Sequence, residues 1–197
     1  MKYFLILSSV FFTQLASAQA VLPPVTTVPS IDLQQYLGTW YEIAAIPQSF
    51  EKQCVGNTTA EYHLAKNNLI SVTNTCDKNN GKSSIAHGRA KIVDSVSNSK
   101  LKVTFVNILG WQFALSGDYW ILAIGDHYSY AVVGSPNRKY AWILSRTPEM
   151  TAAQLAEASQ ALINQRFDTC KLISTLQKGG LQEKTPLCKL TSSSNGD

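Results

Sequence analysis

No apolar run in the 197-residue chain reaches the roughly 20 residues that a membrane-spanning helix needs. The longest amino-terminal run, residues 4–12, follows Lys2 and precedes the small-residue stretch Ala16-Ser17-Ala18. That order is the signature of a secretory signal, so residues 1–18 are expected to be removed and the exported chain to start at Gln19. No Cys stands at that cleavage site, so a lipid-modified terminus is not expected. Charge is also sparse, at 15% of residues, with a net +4 that loss of Lys2 would reduce to +3. The basic residues form no stripe or cluster, and a nucleic-acid partner is therefore not expected. The three histidines, His63, His87 and His127, are dispersed and accompany no Ser-His-Asp, paired-carboxylate or metal-ligand spacing. Catalysis, metals and cofactors are accordingly not indicated, and His127 reads as a solvated turn histidine rather than a haem ligand. Four cysteines, Cys54, Cys76, Cys170 and Cys188, lack the short spacing of a zinc knuckle. An even number in an exported chain reads as two disulfides, with three connectivities open.

What is present is ordinary globular composition, 45% hydrophobic and 10% aromatic, with enough length for one domain that buries about 70% of its unfolded surface. Pro23, Pro24 and Pro29 make residues 19–30 an extended leader. Eight segments with period-2 patterning follow, at 39–46, 58–64, 69–75, 84–93, 101–106, 119–124, 128–134 and 140–145. Gly, Asn, Asp and Ser turns separate them. Eight strands in hairpin succession read as an up-and-down barrel or a sandwich. Thr151 and Gln154 form a capping box that starts one helix, with Leu155, Ser159, Leu162 and Arg166 on one face and Ala158 and Ile163 beside it. A single helix after eight strands favours a closed barrel with an external helix. Residues 172–176 are expected to add to a sheet edge, and the polar tail from Thr191 to be disordered.

Three motifs are more specific: Gly38-Thr39-Trp40-Tyr41-Glu42 opening the first strand, Asp126-His127-Tyr128-Ser129-Tyr130 turning into the seventh, and Trp142-Ile143-Leu144-Ser145-Arg146-Thr147-Pro148 closing the eighth. In this order and spacing the chain resembles the lipocalin family from about residue 31 to 177, most closely its bacterial lipocalin and apolipoprotein D-like branch. The resemblance implies an all-β fold with one helix: an eight-stranded antiparallel up-and-down β-barrel, a C-terminal α-helix and a short ninth strand. The domain would span 31–178, with a 179–197 tail tethered by Cys188. It implies one small hydrophobic ligand, such as a fatty acid or lysophospholipid, in a barrel open at one end. Trp40 would plug the closed end, with Arg146 packed across it and Gly38 and Asp126 completing the signature. It also implies a Cys54–Cys188 bridge, with Cys76–Cys170 beside it; other members would instead join Cys76 to the tail.

Strand alternation assigns faces. If Trp40 points inward, so do Glu42 and Ala44, while Leu101, Val103 and Phe105 form the apolar face of the fifth strand. Trp142 lines the ligand cavity by resemblance, and Tyr62 and Trp120 are further ligand-contact candidates. Glu42 on an inward face must be paired, hydrogen-bonded or neutralised, because a lone buried charge is too costly. The 107–118 loop carries Ile108, Leu109, Trp111 and Phe113 at the open end. Such a cluster is expected to fold back as a lid or to dip into a membrane or partner. The alternatives to a carrier are an enzyme acting on a lipophilic substrate and an interaction protein with a filled barrel. Asn57-Thr58-Thr59 is a glycosylation sequon in a eukaryotic host. No oligomeric state is indicated.

Overall fold

The structure, a computed structural model, describes residues 21–192; the expected signal segment 1–18 and residues 193–197 lie outside the described residues. All eight expected strands are present: β1 (Gly38–Ala45), β2 (Gly56–Leu64), β3 (Leu69–Asp77), β4 (Ser83–Ile92), β5 (Lys100–Thr104), β6 (Gly117–Ile124), β7 (Tyr130–Gly134) and β8 (Ala141–Ser145). Each pairs antiparallel with the next, and β1 pairs with both β2 and β8, which closes the barrel. A two-residue β9 (Ile173–Ser174) lies outside the eight and pairs with Ala44 and Ala45 at the end of β1. Beyond the expected helix α2 (Ala152–Asn164), there are two short ones, α1 (Leu33–Tyr36) and α3 (Leu187–Ser192).

Alternation divides the apolar residues into two clusters. Inside the barrel lie Tyr36, Trp40, Tyr62, Val72, Leu101, Ile121, Val133 and Leu144, among others. Outside it, Ile43, Ala44, Val132 and Ile143 meet Ala158 and Leu162 of α2, Leu172, and Leu187 of α3. Three register shifts interrupt the ladders, between Glu42 and Ala44, between Gly56 and Thr59 and between Ile121 and Ala123. A bulge inserts one residue and so exchanges the faces beyond it. Glu42 pairs with inward Leu144, but Ala44 pairs with outward Ile143 and packs in the outer cluster. The expectation that Ala44 lines the cavity is therefore corrected: Ala45, opposite Trp142, takes the inward place. Trp120 is corrected too, since it packs against the outer cluster with the Lys100 ammonium 4.7 Å from its ring centroid.

The capping box of α2 is in place: the Gln154 N–H donates to Thr151 Oγ1 (3.2 Å) and the Thr151 N–H to Gln154 Oε1 (3.1 Å). Ala158, Ser159 and Leu162 are buried, whereas Ile163 is 44% exposed and Arg166, at φ 62, has left the helix. The disulfides differ from the pairing the resemblance implied. Cys54 joins Cys76 and Cys170 joins Cys188. The reason is local. The β2–β3 ladder sets Gly56 opposite Asp77, and Cys54, two residues before Gly56, thereby meets Cys76, the residue before Asp77 in β3, at a Cα–Cα distance of 5.5 Å. The turn at Thr169–Lys171 lies against α3, which carries Cys188, at 4.9 Å. Thr191 and Ser192, expected to begin a disordered tail, belong to α3, and the rest of that tail lies outside the described residues.

Candidate functional site

The closed end is built by the entering chain. The Ile31 N–H donates to Ser97 O (2.7 Å) and the Asp32 N–H to the Tyr128 hydroxyl (2.8 Å), while the Asp32 carboxylate caps α1 through the Gln34 N–H (2.9 Å). Trp40 is fully buried, and its indole N–H donates to Tyr36 O at 2.8 Å. The Arg146 guanidinium lies 3.7 Å from the Trp40 ring centroid and donates to Thr39 O (2.9 Å) and Gln35 O. Cation–π attraction and two charge-assisted hydrogen bonds hold this plug. Gly38, at φ +92, supplies a backbone shape that other residues adopt at a cost. Asp126 is exposed in the turn before β7, and His127 beside it adopts φ 53, also in solvent.

Above the plug, Tyr36, Tyr62 and Tyr119 bring three hydroxyls together, with Tyr36–Tyr119 at 2.7 Å and Tyr62–Tyr119 at 3.1 Å. Three hydroxyl protons serve two hydrogen bonds, so one remains for a further acceptor. Burial pushes Tyr62 up to about 12 and the other two well above the usual tyrosine value, so all three are neutral. With Leu101, Val103 and Ile121 they enclose a cavity of about 10 Å³, the space of roughly one water. The lower half of the barrel is thus filled by its own side chains.

The upper half is lined by small groups. Ala60 pairs with inward Trp40 and with Asn74, and Asn74 with Ala86; Gly88 faces Val72 one step below. Ala86 points inward yet is exposed, so the interior is open to solvent at this height. The Oδ1 of Asn74 is buried without a hydrogen-bond partner. A Cβ on Gly88 would come within 2.8 Å of Thr104 O and 2.9 Å of the Phe105 ring. Glycine there lets Phe105 cross the mouth; it lies just past β5 and is 43% exposed. Trp142, opposite Val133 and Ala45, stacks on Tyr119 (6.5 Å) and Tyr140 (6.1 Å).

A cleft of about 250 Å³ opens at the rim between β1, β9 and the 46–55 connection, lined in part by Glu42, Ala45, Glu51, Lys52, Thr175 and Lys184. The Thr175 hydroxyl donates to Glu42 Oε1 at 2.6 Å, and the Gln177 side-chain amide donates to the backbone oxygens of Glu42 and Thr58, both at 2.8 Å, bridging β1 and β2. Burial raises the Glu42 pKa. Burial, and then the charge of Glu42, push Glu51 up to about 8.

The structure thus brings Tyr62, Leu101 and Val103 together below, and Trp142, Glu42 and Phe105 at or above the middle. The loop residues separate. Trp111 and Phe113 are half-buried, Trp111 with Arg89 stacked at 4.8 Å, whereas Ile108 and Leu109 stand in solvent. Sequence reasoning missed Tyr36, Tyr119, Asn74 and Glu51. The Asp32-Leu33-Gln34-Gln35 stretch held the cap signal for α1, which would have placed Tyr36; nothing local marks Glu51, which meets Glu42 only through loop closure.

A family model of the lipocalin-like domain matches residues 31–177. Temperature-induced lipocalin-1 of Arabidopsis thaliana is 36% identical over 152 residues, covering 76% of this chain and 81% of that protein. Outer membrane lipoprotein Blc of Vibrio cholerae is 33% identical over 177 residues, covering 89% and 98%. Apolipoprotein D of Rattus norvegicus is 34% identical over 158 residues, covering 76% and 78%. Among solved structures, insecticyanin from the tobacco hornworm Manduca sexta superposes with a TM-score of 0.62 at 25% identity, covering 84% of this chain and 95% of that one. The plugged barrel, the order of its three motifs and these matches agree: the chain belongs to the lipocalin family, whose members bind small hydrophobic ligands.

Proposed function

We propose that the protein is exported and carries one small single-chain lipophile, of the fatty acid or lysophospholipid kind, in the upper half of its barrel. The observation that carries this reading is the change in side-chain size with height. Below the tyrosine hydroxyls the interior is filled, and above them Ala60, Ala86 and Ala45 leave room that opens to solvent and to the rim cleft. The apolar chain of the ligand packs against Trp142, and its polar head stays at the rim beside Lys52 and Lys184. Binding is preferred to catalysis because all four cysteines are bridged and, among the described residues, no group of three His, Cys, Asp or Glu could hold a metal. Export rests on the signal-like first 18 residues and the two disulfides. Bacterial relatives named as outer membrane lipoproteins support it.

Titrating palmitate or lysophosphatidylcholine is expected to quench tryptophan emission to saturation at one ligand per chain. Trp142→Ala is expected to weaken binding about tenfold, the loss of ~1.4 kcal/mol of aromatic contact. Unchanged emission at saturating lipid would overturn the proposal. The filled lower half favours one second reading, an interaction protein that works through its loops, and that reading expects no saturable lipid site within the barrel.

A further inference from the structure

We infer that the open end of the barrel docks on an anionic phospholipid bilayer, mouth towards the lipid. Antiparallel strands place the connections after β1, β3, β5 and β7 at one end, opposite the Trp40–Arg146 plug. Exposed apolar side chains gather on those connections: Phe50 after β1, then Phe105, Ile108, Leu109 and Leu115 after β5. Five exposed large apolar side chains on one end, four of them within residues 105–115, mark an interaction surface rather than single exposed residues.

Its centre is a built prong. Asn107 and Trp111 form an antiparallel bridge, the Gln112 side-chain amide donates to Ile108 O (2.7 Å) and Gly110 O (2.9 Å), and the Gln112 N–H donates to Val106 O (3.0 Å). Leu109 stands fully exposed at the tip with φ 55, a left-handed conformation that Gly or Asn adopts far more readily. The prong therefore holds two apolar side chains, Ile108 and Leu109, outward in a fixed shape. A lid would bury them, and the half-buried Trp111 and Phe113 already form the base.

The charge around the prong selects the occupant. The same four connections carry Lys52, Lys78, Lys82 and Lys139, together with Arg138, whose guanidinium is committed to Gln165 O and Pro23 O, and their one acid, Glu51, has a raised pKa. None of these four lysines is engaged in an ion pair among the described residues. The opposite end carries Asp32, Asp94, Asp126 and Glu149 against Lys66 and Arg146, the latter committed to Trp40. The molecule is basic at the mouth and acidic at the plug. Apolar fingers ringed by lysines match a surface with negative headgroups over an apolar layer. A protein partner would need an apolar recess shaped to the prong as well as an acidic face, whereas an anionic bilayer presents both layers without a shaped pocket.

The inference is independent of the barrel's ligand, because docking is read without one. The full chain is sedimented with vesicles of phosphatidylcholine alone and of phosphatidylcholine with phosphatidylglycerol. Binding is expected to the mixed vesicles only and to fall steeply with salt. The Ile108→Ser/Leu109→Ser double variant is expected to lose at least about tenfold in partitioning, ~1.4 kcal/mol. Lys78→Glu/Lys82→Glu is expected to lose about 25-fold or more, at about fivefold per lysine. Val93→Ser/Val96→Ser, exposed at the plug end, serves as the control and is expected to bind as the parent does. All variants share the same amino-terminal residues, so any membrane affinity of that segment cancels, and each is checked by its thermal melt. Partitioning unchanged in the prong variant, equal binding to both vesicle types, or no binding of the parent overturns the inference. In each case the lipid titration without vesicles still reports separately on the carrier reading.

Discussion

Glu51 holds its proton to about pH 8, against an ordinary value of 4.5, because the 46–55 connection shields it from water and sets it near Glu42. A carboxyl whose folded pKa is raised binds its proton more tightly folded than unfolded, so its contribution is fully present below pH 4.5 and is lost as the pH rises to 8. Glu51→Gln is therefore expected to remove part of the decline in stability between about pH 5 and pH 9. At the alkaline end the variant should exceed the parent by about 1 kcal/mol, a figure reduced because solvent still reaches the group. Urea melts at the two pH values check this, and equal declines in parent and variant would refute the assignment. Asn57 is committed on both sides of its side chain, since its amide donates to Asp77 (2.6 Å) and its oxygen accepts from the Lys178 N–H (2.7 Å). The sequon asparagine thus joins β2 to both β3 and the segment after β9, and a glycan there would take one of the two Nδ2 hydrogens beside Asp77.

Among the elements, the disulfides staple near neighbours rather than distant ones. Cys54 and Cys76 are 22 residues apart, and Cys170 and Cys188 are 18 apart. Loops of that length are each worth about 3 kcal/mol by restriction of the unfolded chain. Non-reducing peptide mapping is expected to recover Cys54–Cys76 and Cys170–Cys188. A Cys54–Cys188 or Cys76–Cys188 fragment would show another architecture at the rim. Replacing Cys170 and Cys188 with Ala is expected to lower stability by about 3 kcal/mol and to expose Leu187, which α3 buries in the outer cluster. Replacing Cys54 and Cys76 acts instead on the 46–55 connection that lines the rim cleft.

At the scale of the whole molecule, the barrel divides its length between rigidity, supplied by the plugged half, and space, supplied by the open half. A ligand that binds only the folded barrel must stabilise it by mass action, by about 2.7 kcal/mol at a concentration one hundred times its Kd. The melting temperature is thus expected to climb with added lysophosphatidylcholine, and to climb less for Trp142→Ala at the same lipid concentration. A melting temperature indifferent to lipid in both would count against an internal site. The unequal charge of the two ends also orients the approach to a negative surface, an effect that salt screens.

Much of this was legible in the linear order of residues. Period-2 alternation marks all eight barrel strands, Thr151 and Gln154 mark the start of α2, and the Gly38–Trp40, Asp126 and Arg146 motifs mark the family, because each signal is local and lies within one strand, turn or helix end. The faces of Ala44 and Ala45 were not legible. One bulged residue exchanges inside and outside, and a bulge is decided by the ladder across the sheet, not by the strand that contains it. The disulfide partners, the tyrosine hydroxyl cluster and the Glu42–Glu51 neighbourhood have the same origin. Each joins residues that are distant in sequence, so only the closed barrel, which fixes which strands are neighbours and which loops share an end, decides them.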